Sequence, residues 1–400
     1  MTTLVHSRPA VVLGLSPTGL YAVRELGRAG VSVAGVSSGR QCGSYSRYLT
    51  FGAFAEADEG RRLERLLALS QAANEQPVLI PASDQDIDFI VRHAALLSQH
   101  FVFQRSYADG LAATIMAKRS VYALCREHGI ETPQSWEMAR GDILTLAGDI
   151  SYPCIVKPSR IDLVKAQMAG RKLWVATSQA DFRTIAAALP EGDTTWIVQE
   201  MIPGPESAIT LYAAYIDRDG NFRQAITCRK LRQYPPGFGS ASLVRSATEP
   251  ETREISEAFI HNIGYRGIAS TEFKRDPRDG RLKFIEMNPR PSLWFAVTGP
   301  AGKQITAAAY RDLSELPALP EDAQRDDVQW RYWLKDMYSK SFYAMSRGFP
   351  LPPPVVPASG TAAHRLGPIY AADDPRPAIG ETLNFGSKFV RRVTAMMGKR

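Results

Sequence analysis

Apolar positions in this chain follow two periods. Ala10-Val11-Val12-Leu13-Gly14 is a short all-apolar run ending in a turn, and Leu20, Val23 and Leu26 then recur at helical spacing. Val31 to Val36 is the next apolar run. Strand, helix, strand predicts a parallel sheet. Val78-Leu79-Ile80 predicts a further buried strand, with Ser83-Asp84-Gln85-Asp86 just past its carboxyl end and a helix from Ile87 to about Leu97. Residues 1–112 therefore read as one open α/β domain.

From Lys118 to His128 the apolar positions Val121, Leu124 and Cys125 fit a helix that Gly129 ends and Pro133 cannot continue. Beyond it the period shortens. Cys154-Ile155-Val156-Lys157-Pro158, Trp196-Ile197-Val198-Gln199-Glu200, Ala208 to Asp217 and Phe222 to Cys228 read as strands, the last two joined by Asp219-Gly220. Residues 113–320 thus form a hairpin-rich α+β unit. Proline-rich stretches at Leu316 to Pro320 and Pro350 to Pro354 mark a boundary and an irregular arm. Residues 321–400 are an extension whose fold the periodicity does not specify.

Composition narrows the class. The chain has 400 residues, 44% apolar, with a net charge of +7 and a pI near 9.2. No apolar run approaches a membrane span, and Ala10 to Leu15 is too short for the core of a signal peptide. The charge suits anionic ligands, but no basic stripe interleaved with aromatics argues for nucleic acid. Cys42, Cys125, Cys154 and Cys228 are scattered without a Cys-x-x-Cys pair, so a reducing cytoplasm is the simplest setting. The C-terminus carries Lys388, Arg391, Arg392, Lys399 and Arg400 with no acid. That is weak grounds for peripheral contact with an anionic membrane; a solvated end is the commoner meaning. Gly14 to Gly19 lacks the middle glycine of a dinucleotide fingerprint. A helix start at Ser16 or Thr18 still suits an anionic group.

The chemistry concentrates in Phe284-Ile285-Glu286-Met287-Asn288-Pro289-Arg290. If Leu282 to Asn288 is a strand, alternation puts Glu286 and Asn288 on one face. Asp276-Pro277-Arg278-Asp279-Gly280 is a strong turn, so Glu272 falls on the neighbouring strand, near enough to share a metal ion. An acidic strand end followed by an ordinary Asn-Pro turn is the bland alternative. The histidines follow no ligand spacing, and no Ser/His/Asp or Cys/His arrangement stands out.

In order, the chain presents Lys118, Lys157, Gln199 to Glu206, Glu272, Glu286, Asn288 and Arg290. Over residues 8–300 this series resembles the ATP-grasp superfamily, and within it the carboxylate–amine ligases of the D-aspartate-ligase-like, amino-acid and peptide ligase branch. The resemblance implies an ATP-grasp fold preceded by a parallel-sheet domain, with nucleotide between subdomains 113–195 and 196–320. It implies ATP and one or two Mg²⁺ ions, with Mn²⁺ able to substitute. Lys118 and Lys157 would face the phosphates, Glu200 and Ile202 the adenine edge with Gln199 beside it, and Glu206 the ribose. Glu272, Glu286 and Asn288 would hold the metal, and Arg290 the transferring phosphoryl group. Lys230 and Arg232, in the basic stretch Cys228 to Gly239, would face the γ-phosphate or a substrate carboxylate. Ser16, Thr18, Arg47 and Asp84 are candidate contacts to small-molecule carboxylate and amine substrates.

The implied activity is amide or peptide bond formation through an acyl phosphate, and homodimers are common among such proteins. A phosphotransferase on the same scaffold, or a nucleotide-binding regulator without turnover, are the alternatives. One departure is the segment after Lys157, where only Gly170 is glycine. Arg160, Lys165 or Lys172 would have to clamp phosphates there in place of backbone amides.

Overall fold

The computed structural model describes residues 8–159, 161–164, 166–168, 173–345, 349–357 and 364–382. Its first sheet holds β1 (Ala10–Leu13), β2 (Val33–Ser37), β3 (Gly52–Ala55) and β4 (Val78–Pro81), all parallel, in the order β3-β2-β1-β4. Strands β1, β2 and β4 are buried on both faces, which is why they read as unbroken apolar runs. The chain order reverses between β1 and β4. Open α/β sheets bind ligands outside the strand ends at such a point, and the helix Asp84–Arg92, capped by Ser83, begins there.

A small antiparallel sheet follows, of β5 (Ser135–Met138), β6 (Cys154–Pro158), β7 (Trp174–Ala176) and β8 (Trp196–Glu200), in the order β5-β8-β6-β7. The third sheet has seven strands: β9 (Ile209–Ile216), β10 (Phe222–Tyr234), β11 (Ser240–Ser246), β12 (Gly267–Arg275), β13 (Leu282–Asn288), β14 (Val328–Arg331) and β15 (His364–Leu366), ordered β13-β12-β9-β10-β11-β14-β15. Central β9 reads Ile-Thr-Leu-Tyr-Ala-Ala-Tyr-Ile because it is covered on both sides. Leu211, Ala213 and Tyr215 face a core with the helix Ile305–Leu313, while Tyr212, Ala214 and Ile216 face one with the helices Lys118–Glu127 and Pro250–Asn262.

Two expectations change. The strand expected over Phe222 to Cys228 continues through the basic stretch as far as Tyr234, and this second half of β10 pairs with β11. Of the expected extension, β14 pairs with β11 and β15 with β14. Trp330 is fully buried in the core, and the helix Trp333–Met345 packs back on β10 through Asp336 and Ser339. The periodicity missed this because β14 is four residues long and joins by an edge rather than by its own core.

The N-terminal domain is tied to the rest by buried polar contacts. Gln104 donates to the Pro289 carbonyl at 3.1 Å and accepts from the Ile268 amide at 2.9 Å, and Tyr107 donates to the same Pro289 carbonyl at 2.8 Å. Gly267, at φ +129°, sits where a Cβ would lie 2.5 Å from the Gln104 carboxamide, so only glycine admits that side chain. On the other side, Asp374 is fully buried and accepts from Arg24, Ser46 and the Arg47 amide. The basic C-terminal segment, with Lys388 to Arg400, lies outside the described residues. No described helix is long and apolar enough to cross a membrane.

Asp336 has no exposure and pairs with both Arg232 and Arg331. Asp336→Ala strands the largely buried Arg232 charge and should lower the unfolding free energy by about 3 kcal/mol, read as a fall in the urea midpoint. An unchanged midpoint would show that the helix Trp333–Met345 does not support the sheet.

Candidate functional site

A cavity of about 460 Å³ is lined by residues of the small antiparallel sheet, of the seven-stranded sheet and by Asp84 of the N-terminal domain. Its walls follow from strand alternation. In β6, Cys154 and Val156 enter the core of the small sheet, so Ile155 and Lys157 face the cavity. Ile155, Met201 and Leu351, with Leu173, form an apolar wall.

Cations line another part. Lys118 opens its helix with its ammonium 5.9 Å from the Tyr122 ring centre. Its side chain meets that of Lys157, and both look on Glu286. Burial, then the charge of Lys118, pushes Lys157 down to about 8; burial lowers Lys118 as well.

Opposite charge faces them. Glu272 and Glu286 stand directly across the β12–β13 ladder, and Ser270 stands across from Asn288. Burial and the neighbouring Glu286 raise Glu272 against the pull of Lys230, which ion-pairs with it. Asn288 donates to Glu286 at 3.1 Å and accepts from Arg290 at 3.2 Å. Arg290 also donates to the Pro291 carbonyl at 3.0 Å and to Asp84 at 2.7 Å. Among the described residues no group of three or more His, Cys, Asp or Glu forms a metal site. Two carboxylates and one amide nevertheless fit a hard cation that takes its remaining oxygens from a ligand and water.

The cavity brings together Lys118, Lys157, Gln199, Glu200, Ile202, Lys230, Glu272, Glu286, Asn288, Arg290 and Asp84. Gln199 donates to the Tyr122 hydroxyl at 2.9 Å, and the Glu200 carboxylate accepts from the Gln134 amide at 3.1 Å while pairing with Arg278.

Five expected residues fall elsewhere. A bulge in β10 between Lys230 and Gln233 breaks the two-residue alternation. Lys230 and Gln233 therefore line the cavity, while the Arg232 side chain goes to Asp336, at 2.6 and 2.9 Å. Glu206 is fully buried. Its carboxylate accepts from the backbone amides of Gln233 at 3.0 Å and Gly237 at 2.6 Å, holding the turn that carries Phe238 past the cavity. Ser16, Thr18 and Arg47 are not among the described residues lining the cavity. The Ser16 carbonyl starts the helix Pro17–Arg28, Thr18 is buried within it, and Arg47 donates from its amide to the Asp374 carboxylate and from its guanidinium to the Asp373 carbonyl. Arg160, Lys165, Gly170 and Lys172 lie outside the described residues.

One contributor went unread. Lys274 is buried and donates to the carbonyls of Ile202 at 2.8 Å and Gly204 at 2.9 Å, pinning the segment after β8. Burial pushes it down to about 8. The signal was there: it is two residues beyond Glu272, on the same strand face.

The chain matches no family model. It is 27% identical over 224 residues to D-aspartate ligase of Enterococcus faecium, covering 53% of each chain. It is 25% identical over 203 residues to D-alanine–D-alanine ligase of a Wolbachia, covering 45% of this chain and 57% of that one. Carbamoyl phosphate synthase large chain of Myxococcus xanthus is 28% identical over 191 residues, 45% of this chain and 17% of that one. The chain thus spans little more than half the length of these ligases. Among solved structures, the ADP complex of N5-carboxyaminoimidazole ribonucleotide synthetase superposes with a TM-score of 0.61 at 14% identity, covering 81% of this chain and 82% of that one. L-amino acid ligase from Bacillus licheniformis gives 0.57 at 15% identity, covering 81% and 78%. The fold is the ATP-grasp fold, as the order of motifs implied.

Lys157 at about 8 is roughly half protonated at pH 8 when no anion is present. An anion between the two amines favours their charged forms, so binding takes up protons. Binding of sulfate, which carries no titratable proton at pH 8, should take up as much as roughly half a proton at Lys157, measured calorimetrically in buffers of different ionisation enthalpy. Lys157→Met should take up less, and proton release on binding would contradict this placement of the amines.

Proposed function

We propose that this protein is an ATP-dependent carboxylate–amine ligase that joins a small-molecule carboxylate to an amine through an acyl phosphate. The observation that carries the proposal is the pairing of charges within one cavity. Lys118 and Lys157 meet each other, Glu272 and Glu286 face each other across a ladder, and Arg290 adjoins them. A ligand that relieves both repulsions must bring negative charge to the lysines and positive charge to the carboxylates. A metal–polyphosphate does both.

The fold and the relatives support the same reading, since the sequence matches include two amino-acid ligases. In the reaction, a carboxylate oxygen of the substrate attacks the γ-phosphorus of ATP as the bond to the β-phosphate oxygen breaks. The amine then forms the C–N bond as phosphate leaves. The apolar wall of Ile155, Leu173, Met201 and Leu351 takes the base, with the Glu200 carbonyl and Ile202 amide at its edge. Lys274, by holding the Ile202 and Gly204 carbonyls, keeps that edge in place. Lys118 and Lys157 bind the inner phosphates, while Lys230 and Arg290 meet charge that grows on the transferring phosphoryl group. Glu272, Glu286 and Asn288 would hold one or two Mg²⁺ ions, or Mn²⁺, which when bound neutralise phosphate charge. The protein would work as a homodimer in a reducing cytoplasm, where its four free cysteines, all buried, stay reduced.

An ADP-release assay against panels of carboxylates and amines tests this. ADP and phosphate appearing only when both substrates are present supports the ligase. A phosphorylated product without amine would indicate a phosphotransferase, and no ADP with any pair would leave a non-catalytic binder. Glu286→Ala should cut ADP release by about 100-fold or more. It should not lower the thermal midpoint, because it removes one of two facing, mutually repelling carboxylates. Wild-type turnover in that variant would refute the metal assignment.

A further inference from the structure

We infer that Asp84 anchors the protonated amine of the nucleophile, so that this end of the cavity selects an ammonium-bearing amine over a neutral one. This rests on the ligase reading above and names its amine substrate by charge.

Asp84 belongs to the N-terminal domain, not to the strands that carry the other cavity charges. It opens the helix Asp84–Arg92 at the carboxyl end of β4. One oxygen, Oδ1, accepts from Arg290 Nε at 2.7 Å. Oδ2 has no hydrogen-bond partner among the described residues, and the side chain is 58% exposed and lines the cavity.

The pair is poorly explained as a structural tie. Arg290 is oriented without Asp84, by the Asn288 amide oxygen at 3.2 Å and the Pro291 carbonyl at 3.0 Å. Its neighbour Pro289 is fixed by Gln104 and Tyr107. An ion pair with one partner this exposed adds little stability. The pair does set an open anionic oxygen beside the guanidinium assigned to the phosphoryl group. Asp86, the other carboxylate nearby, is buried and engaged by Ser83 and Arg62. Asp84 is therefore the carboxylate at this end of the cavity that remains open to a cation.

An ammonium on Asp84 would lie beside the carboxyl group activated at Arg290. It loses one proton to solvent, and the freed lone pair forms the C–N bond as the C–O bond to phosphate breaks. The second proton follows to solvent. A neutral nucleophile can offer this carboxylate only an uncharged hydrogen-bond donor, which gains less.

Two measurements on the full chain test the assignment. The first uses glycinamide, which carries an ammonium and no carboxylate, and N-acetylglycinamide, its neutral counterpart. Each is titrated calorimetrically into protein saturated with MgADP. Wild type should prefer glycinamide by about tenfold, the size of one charge-assisted hydrogen bond. Asp84→Asn should lose the preference, and Asp84→Glu should keep most of it. Equal preference in wild type and Asp84→Asn would overturn the proposal.

The second compares turnover with hydroxylamine, neutral at neutral pH, and with the ammonium-bearing amine selected in the ADP screen. Asp84→Asn should lower kcat/KM for the ammonium-bearing amine about tenfold more than for hydroxylamine. An equal change with both nucleophiles, in either direction, would show that Asp84 only shields Arg290. Absence of ADP release in wild type would sink the ligase reading alone, because the glycinamide comparison does not depend on turnover.

Discussion

Two carboxylates facing each other in a buried cavity are the constraint around which this protein is organised. Like charges directly opposite on paired strands repel, and burial makes the ionised pair more costly still. Glu272 and Glu286 nevertheless occupy opposed positions on β12 and β13. Part of the cost is offset within the protein by Lys230, which reaches Glu272 from β10 two strands away. The remaining strain is mirrored by Lys118 and Lys157, two amines brought into contact and both lowered by burial. Two facing carboxylates and two meeting amines in one cavity are the charge arrangement on which the proposed binding of a metal–polyphosphate rests.

Holding such a site together requires the surrounding fold to be stiff. Strand β12 lies between β13 and β9, and β9 is covered by core on both faces. Lys274, on the same strand, reaches the carbonyls beyond β8 and so couples the small sheet to the large one. The N-terminal domain completes the frame. Gln104 and Tyr107 converge on the Pro289 carbonyl one residue before Arg290, and Asp84 meets the guanidinium itself. The backbone leading into Arg290 is therefore held by residues about 180 positions earlier in the chain, and the last described segment, through Asp374, grips the same domain.

Much of this was legible before any coordinates, and the legible parts share a cause. Apolar runs at β1, β2, β4 and β9 are buried on two faces, so burial alone writes them into the sequence. The hairpin of Glu272 and Glu286 was readable because Asp276 to Gly280 is a strong turn and alternation does the rest. What failed depended on departures from alternation or on distant partners. Arg232 left the cavity because a bulge turned it towards Asp336, and a bulge has no signature in the period. Glu206 satisfies the amides of Gln233 and Gly237, donors invisible from its own neighbours. Ser46-Arg47-Tyr48 and Asp373-Asp374 stand at opposite ends of the described chain, and only the fold shows that they bind each other.

The sequence by itself determined the buried strands β1, β2, β4 and β9, the parallel first sheet, and the ordered series of lysines, carboxylates and arginine, because periodicity and spacing are local properties of a chain. Tertiary structure alone decided which of those groups meet. It opposed Glu272 to Lys230, joined Lys118 to Lys157, aimed Arg232 away and brought Asp84 to Arg290. Coulomb energy and burial depend on distance through space, and distance through space is what a linear pattern does not contain.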